Sequence, residues 1–176
     1  MMADAVDEIT VSPESVAERL AHSNYLADEG LATAIFLAIR LGKPLLLEGA
    51  PGVGKTEAAK AVAQALSRDL VRLQCYEGID AAHALYEWNY QRQLLAIRQA
   101  GENETDIYTD QFLIARPLMQ VLREPDKKLL LVDEIDRSDH EFEALLLEFL
   151  SDFQISIPER GTIVAATRPL VVLTSN

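Results

Sequence analysis

Leu45-Leu46-Leu47-Glu48-Gly49-Ala50-Pro51-Gly52-Val53-Gly54-Lys55-Thr56 is the stretch on which the fold turns. Its three leucines read as a buried strand. Residues 54–67 then return to helical spacing through Ala58, Ala59, Val62, Ala63 and Leu66. Between strand and helix, Gly49 to Thr56 fits the phosphate-loop pattern G-x-x-x-x-G-K-[ST] in the context that pattern requires. By average residue frequencies the bare pattern arises by chance in under about one chain in a hundred of this length. Glycines are needed because the backbone curls around phosphates with its N–H groups inward, where a Cβ would obstruct, and the following helix lends its positive end. Gly49, Ala50, Pro51, Gly52, Val53, Gly54, Lys55 and Thr56 are therefore the candidate nucleotide-binding residues. Lys55 supplies a mobile charge for the β- and γ-phosphates of ATP, and the Thr56 hydroxyl reaches Mg²⁺.

Working outward, Leu70-Val71-Arg72-Leu73 is a second strand, so strand, helix and strand already make a β-α-β unit. Upstream, Ser12-Pro13-Glu14 opens a helix with a cap residue and proline, Val16 and Leu20 recurring at helical spacing, and that helix reads as short and mostly exposed. Another helix starts near Asp28 and stops at Gly42, with Pro44 just beyond. Downstream, residues 81–99 read as one helix crowded with Tyr86, Trp88 and Tyr90, and 101–110 as a polar loop. A helix from about Pro117 ends before Pro125, and Leu129-Leu130-Leu131-Val132 is a third apolar strand. The next helix carries the stripe Phe142, Leu145, Leu146, Phe149 and Leu150, with Ser138 and Glu141 matching a capping box. Ile155–Ile157 and Thr162–Val164 suggest a hairpin around Glu159-Arg160-Gly161, and Leu170–Thr174 is a final buried strand. Short apolar strands alternating with helices predict an α/β fold, a parallel sheet covered on both faces. In such a sheet ligands sit beyond the carboxyl ends of the strands.

Those ends carry the remaining candidates. After Val132 come Asp133 and Glu134: in a protein with a phosphate loop the first carboxylate holds Mg²⁺ through its water shell, and the second polarises a water for attack on the γ-phosphate. Asp136 reads as structural or as a more distant support. The last strand ends in Thr174-Ser175-Asn176, which puts an amide at the same edge, where Asn176 can orient the attacking water. Catalytic roles thus fall to Glu134, Lys55 and Asn176, and metal-side roles to Thr56 and Asp133.

Composition narrows the classes. The chain has 176 residues, one domain's worth, with 49% hydrophobic and 25% charged residues. Net charge is −12, and only residues 43–74 are basic, with five Lys or Arg against three Asp or Glu. An acidic chain with one basic segment argues against nucleic acid as the main partner and for a local anion site. Cys75 is the only cysteine and the three histidines lack zinc spacing, which excludes disulfide scaffolds and zinc modules. The longest apolar run, Ala34–Ile39, is far short of the roughly 18 residues of a membrane span, and the acidic N-terminus is unlike a signal peptide, so no membrane association and a cytoplasmic location are expected.

GAPGVGKT, LLLVDEID and LVVLTSN, in that order, resemble the Walker A, Walker B and sensor 1 motifs of AAA+ ATPases. Residues 73–78, Tyr86-Glu87-Trp88-Asn89-Tyr90 and residues 157–163 are similar to the MoxR family of AAA+ chaperones, particularly the branch encoded beside molybdenum hydroxylases such as carbon monoxide dehydrogenase. The resemblance covers residues from about 10 to the end. It implies sheet order 5-1-4-3-2, an insertion near the aromatic run, and a hairpin over residues 156–165 before sensor 1. It also implies ATP and Mg²⁺ as cofactors, a homo-hexameric ring, and a von Willebrand factor A domain partner. ATP hydrolysis would drive remodelling, or metal or cofactor maturation, of a client metalloenzyme. On this reading residues 1–27 are an N-terminal helical segment and 28–176 the AAA+ core. That core would lack the fifth strand, arginine finger and helical lid that the family places after sensor 1, and activity of these residues alone would be doubtful. The residues leave two other classes open: a nucleotide-binding interaction module without turnover, and a small-molecule kinase using the same loop.

Overall fold

In the computed structural model, which describes residues 11–101 and 104–176, the chain runs α1 (Pro13–His22), α2 (Glu29–Leu41), β1 (Leu45–Glu48), α3 (Lys55–Ala65), β2 (Asp69–Gln74), α4 (Ala81–Ala84), β3 (Tyr86–Trp88), α5 (Tyr90–Ala100), β4 (Leu113–Ala115), α6 (Pro117–Arg123), β5 (Lys128–Asp133), α7 (His140–Asp152), β6 (Gln154–Ile157), β7 (Gly161–Val164) and β8 (Leu170–Ser175). The parts of the N-terminal segment and of the polar loop that fall on residues 1–10 and 102–103 lie outside the described residues.

Strands β1, β8, β5 and β2 pair in that order, all parallel. Numbered among themselves they stand 1-4-3-2, the order the resemblance implies for these strands. Because strand side chains alternate between faces, each strand divides its apolar residues between two cores. Leu129 and Leu131 of β5, with Leu170 and Val172 of β8, join Ala59, Val62 and Ala63 of α3 and Ile35 of α2 on one face. Leu130, Val132 and Val171, with Val71 and Leu73 of β2, join Leu118, Met119 and Leu122 of α6 and Phe142, Leu146 and Phe149 of α7 on the other. The expected sheet with helices on both faces is therefore present.

The ends of the elements explain their limits. Ser12 accepts Ser15 N–H and Ser15 reaches back to Ser12 N–H, while Pro13 occupies the first turn, where no N–H is missed. Asp28 caps α2, accepting Leu31 N–H at 2.7 Å, and Gly42 ends that helix in the left-handed region at φ 58°, which glycine enters without a Cβ penalty.

Three expectations are corrected. Residues 81–99 are not one helix: Tyr86–Trp88 is a strand paired antiparallel with Leu113–Ala115, flanked by α4 and α5. Aromatic residues at alternating positions fit a pleated surface, and Trp88 is buried between Tyr86 and Tyr108 in edge-on contacts at 6.2 and 5.2 Å. Ser138 and Glu141 do not form a capping box, since Asp139 caps α7 by accepting Phe142 N–H at 2.9 Å and the Ser138 hydroxyl donates to Ile135 C=O. Helix α1 exposes its outer face only; Val16 and Leu20 are fully buried in the core shared with α2 and α3. No helix among the described residues is long and apolar enough to cross a membrane.

Candidate functional site

The site lies across the carboxyl ends of the parallel strands. In the ladder, Leu47 stands beside Thr174 and Gln74 beside Asp133, while Val132 beside Leu173 sets Thr174 next to Asp133. These residues fall on the α3 face, the same parity as Leu129, Leu131 and Val172. Sheet parity thus aims Asp133, Thr174, Gln74 and Arg72 toward the helix that follows the loop.

The loop itself leaves β1 at Gly49 and enters α3 at Lys55. Gly52 and Gly54 have φ of 84° and 95°, a region side chains rarely occupy, and a Cβ at either would point into open space. The concavity is about 290 Å³ and is lined by Pro51, Gly52, Gly54 to Glu57, Asp133, Glu134, Thr174 and Asn176. Lys55 Nζ folds back onto its own loop, donating to Gly49 C=O, to Ala50 C=O at 3.1 Å and to Asn176 Oδ1 at 3.0 Å. Asn176 N–H in turn donates to Asp136 at 3.2 Å.

Asp133 is buried and surrounded by donors. Thr56 Oγ1 reaches Oδ1 at 3.1 Å, Thr174 Oγ1 reaches Oδ1 at 2.5 Å, and Arg72 Nε reaches Oδ2 at 2.9 Å. Burial alone would raise its carboxyl, but the Thr174 hydroxyl, the Arg72 guanidinium and the Thr56 hydroxyl together hold it below the ordinary carboxylate value. Asp133 is therefore an anion at neutral pH. Glu134 follows in the left-handed region at φ 57°, an uncommon conformation for a residue with a side chain and one that concentrates at functional positions. Its N–H is held by Thr174 Oγ1 at 2.9 Å, and its carboxylate accepts from Gln74 Nε2 at 3.0 Å and Arg137 Nη1 at 2.9 Å.

Of the residues singled out from the sequence, Pro51, Gly52, Gly54, Lys55, Thr56, Asp133, Glu134 and Asn176 line this one concavity, while Gly49, Ala50 and Val53 belong to the loop without lining it. Four partners had not been singled out: Arg72, Gln74, Thr174 and Arg137. The polar alternation Arg72-x-Gln74 between apolar Val71 and Leu73 was the available signal for the first two, and it becomes readable once β2 is known to lie beside β5.

The donor set fits a hard divalent cation: a hydroxyl and an ionised carboxylate 3.1 Å apart at the mouth of a phosphate cradle. Mg²⁺ is commonly bound this way, by one or two protein oxygens plus substrate phosphates and water. Among the described residues no cluster of three or more His, Cys, Asp or Glu could bind a metal without such help.

A parallel sheet with a glycine cradle leading into a helix, and an acidic pair at the end of the next strand but one, defines a P-loop nucleoside-triphosphatase domain. Residues 44–176 match the family model for the AAA domain, dynein-related subfamily, and the chain belongs to that family. AAA domains of this kind generally bind ATP with Mg²⁺. In fold the chain is similar to the crystal structure of a candidate ATPase from Cytophaga hutchinsonii ATCC 33406, with TM-score 0.55 and 22% identity. That alignment covers 99% of this chain and 42% of the other, so the chain spans less than half the length of that relative.

Proposed function

We propose that this chain is the ATP-hydrolysing core of a MoxR-type AAA+ ATPase that couples turnover to remodelling, or to metal or cofactor maturation, of a client enzyme. The observation that carries the ATPase reading is the Thr56 hydroxyl held 3.1 Å from Asp133 in the wall of the concavity, with Glu134 next along the chain. The cradle's backbone N–H groups and the start of α3 take the phosphates. Lys55 Nζ exchanges its loop carbonyls for β- and γ-phosphate oxygens. Thr56 and Asp133 would hold Mg²⁺, which when bound neutralises charge on the phosphates. Glu134 accepts a proton from the attacking water, which the Asn176 amide orients. A glutamate beside the phosphate cradle, aimed where water can stand, favours hydrolysis over transfer to a small-molecule acceptor.

The MoxR assignment, a homo-hexameric ring, a von Willebrand factor A domain partner and a client metalloenzyme rest on the resemblance carried by residues 73–78, 86–90 and 157–163. Phosphate release with Mg²⁺-ATP, measured with and without small-molecule acceptors, tests the reaction. Release without an acceptor supports the ATPase, and ADP formed only with an acceptor, the phosphoryl group staying on that acceptor rather than appearing as free phosphate, overturns it in favour of a kinase.

A further inference from the structure

Arg72 belongs to no nucleotide-binding motif, yet it grips the carboxylate assigned here to the metal. Its Nε donates to Asp133 Oδ2 at 2.9 Å and its Nη2 lies 2.5 Å from the same oxygen. Asp133 therefore accepts hydrogen bonds from three side chains, Thr56, Thr174 and Arg72, and the Arg72 Nη2 ion-pair contact crowds Oδ2 as well. A water of the metal's shell that bonds to Oδ2 competes with these groups for it. Thr174 is buried and also holds Glu134 N–H, and Thr56 is fixed in the first turn of α3. The Arg72 side chain is 52% exposed, so water is ready to solvate it when it leaves.

Arg72 also touches the other carboxylate through one neighbour. Its Nη2 donates to Gln74 Oε1, and Gln74 Nε2 donates to Glu134 Oε2 at 3.0 Å. A guanidinium can only donate, so the Gln74 oxygen must face Arg72 and the NH₂ is left for Glu134. Asp133, Arg72, Gln74 and Glu134 thus form one chain of bonds across the ends of β2 and β5.

We propose that Arg72 is a stand-in cation: a positioning residue that pairs with Asp133 and withdraws when Asp133 takes up a divalent metal. Its withdrawal frees the Gln74 amide to turn, and with it the hydrogen bond that Gln74 Nε2 donates to Glu134 Oε2. The metal state of Asp133 is thereby reported to the water-activating group. This inference rests on the metal-side role of Asp133 and the base role of Glu134 proposed above.

The test is a Mn²⁺ titration, followed by electron paramagnetic resonance, of the full 176-residue chain saturated with a non-hydrolysable ATP analogue. Arg72→Ala removes the competitor, and half-saturation should fall by about tenfold, the worth of one charge-assisted hydrogen bond. Arg72→Lys, which keeps the charge but loses the two-pronged grip, should fall between Arg72→Ala and wild type, and it carries the test if the alanine variant does not fold. A merely structural arginine predicts the opposite sign, since an unsupported Asp133 would bind metal less well. Mn²⁺ affinity that is unchanged or weaker in the variant overturns the stand-in role while leaving the ATPase reading intact. Absence of Mn²⁺-nucleotide binding in the wild-type chain overturns both.

Discussion

The Thr174 hydroxyl donates to Asp133 Oδ1 at 2.5 Å and accepts Glu134 N–H at 2.9 Å, so one side chain on β8 fixes both acidic residues of the neighbouring strand. Thr174 and Asp133 are both buried, so water replaces the bond between them poorly. Thr174→Val, nearly isosteric, should therefore cost about 1–3 kcal/mol of stability, the penalty of an orphaned buried donor and an under-supported carboxylate. Urea denaturation measures it. Thr174→Ser, which keeps the hydroxyl, should recover most of the loss.

Lys55 has nothing to gain from its loop carbonyls once phosphates are present, and among the described residues no second Lys or Arg lines the concavity. Lys55→Ala should weaken ATP binding by about 100-fold, as expected for losing charged bonds to two phosphate groups. Titration with a fluorescent ATP analogue reads the change, and wild-type affinity in the variant would remove the loop assignment.

The two adjacent carboxylates should separate cleanly in function. Glu134→Gln should keep ATP bound while stopping hydrolysis, whereas Asp133→Asn should weaken the Mg²⁺-dependent part of binding itself. Binding and single-turnover phosphate release on the two variants check this. Wild-type hydrolysis by Glu134→Gln refutes its role as base.

Cys75 is fully buried at the end of β2, and burial first, then Asp133, Asp136 and Glu134, pushes its thiol up to about 12 from an ordinary 9.0. The folded state keeps the proton longer than the unfolded state does. Its contribution to stability is complete below pH 9.0 and is lost progressively as pH rises toward about 12. Stability curves of wild type and Cys75→Ala should therefore converge between these values. The native thiol should also resist alkylation until the protein is unfolded.

Arg160, in the turn between β6 and β7, pairs with both oxygens of Asp110 at 2.6 and 3.2 Å, and Arg123 joins the same carboxylate. Asp110 is largely exposed, so Arg160→Ala should change global stability by no more than about 1 kcal/mol. It should instead speed amide exchange within residues 154–164, because the pair ties the hairpin to the segment before β4. Unaltered exchange there would show that the hairpin's own ladder holds it.

The parallel strands, the glycine loop and the acidic pair were legible because each is written in contiguous residues: an apolar run, a spaced pattern, a charge after a strand. Tyr86–Trp88 was not, since three residues are too few for a period of two to show against helical neighbours, and its partner strand lies beyond α5. The supports of Asp133 and Glu134 were hidden for another reason. Arg72, Gln74 and Thr174 acquire meaning only from which strand lies beside which, and Thr174 is separated from Asp133 by 41 residues and Arg72 by 61. Ser138 misled because it and Asp139 are both good caps, and the turn over Ile135–Arg137 captures the serine hydroxyl first.

The row in which Gln74, Asp133, Thr174 and Leu47 stand side by side also bears on how the protein folds. A slip of one residue in β5 would turn Asp133 toward α6 and α7 and bring an aliphatic side chain to the nucleotide. Nucleotide affinity is thus a proofreader of strand registration: misregistered chains present no cradle-and-carboxylate pair. Because the pairings that complete the row are long-range, they are slow to close relative to local helices. ATP added during refolding would therefore select for the correctly threaded sheet by binding it alone.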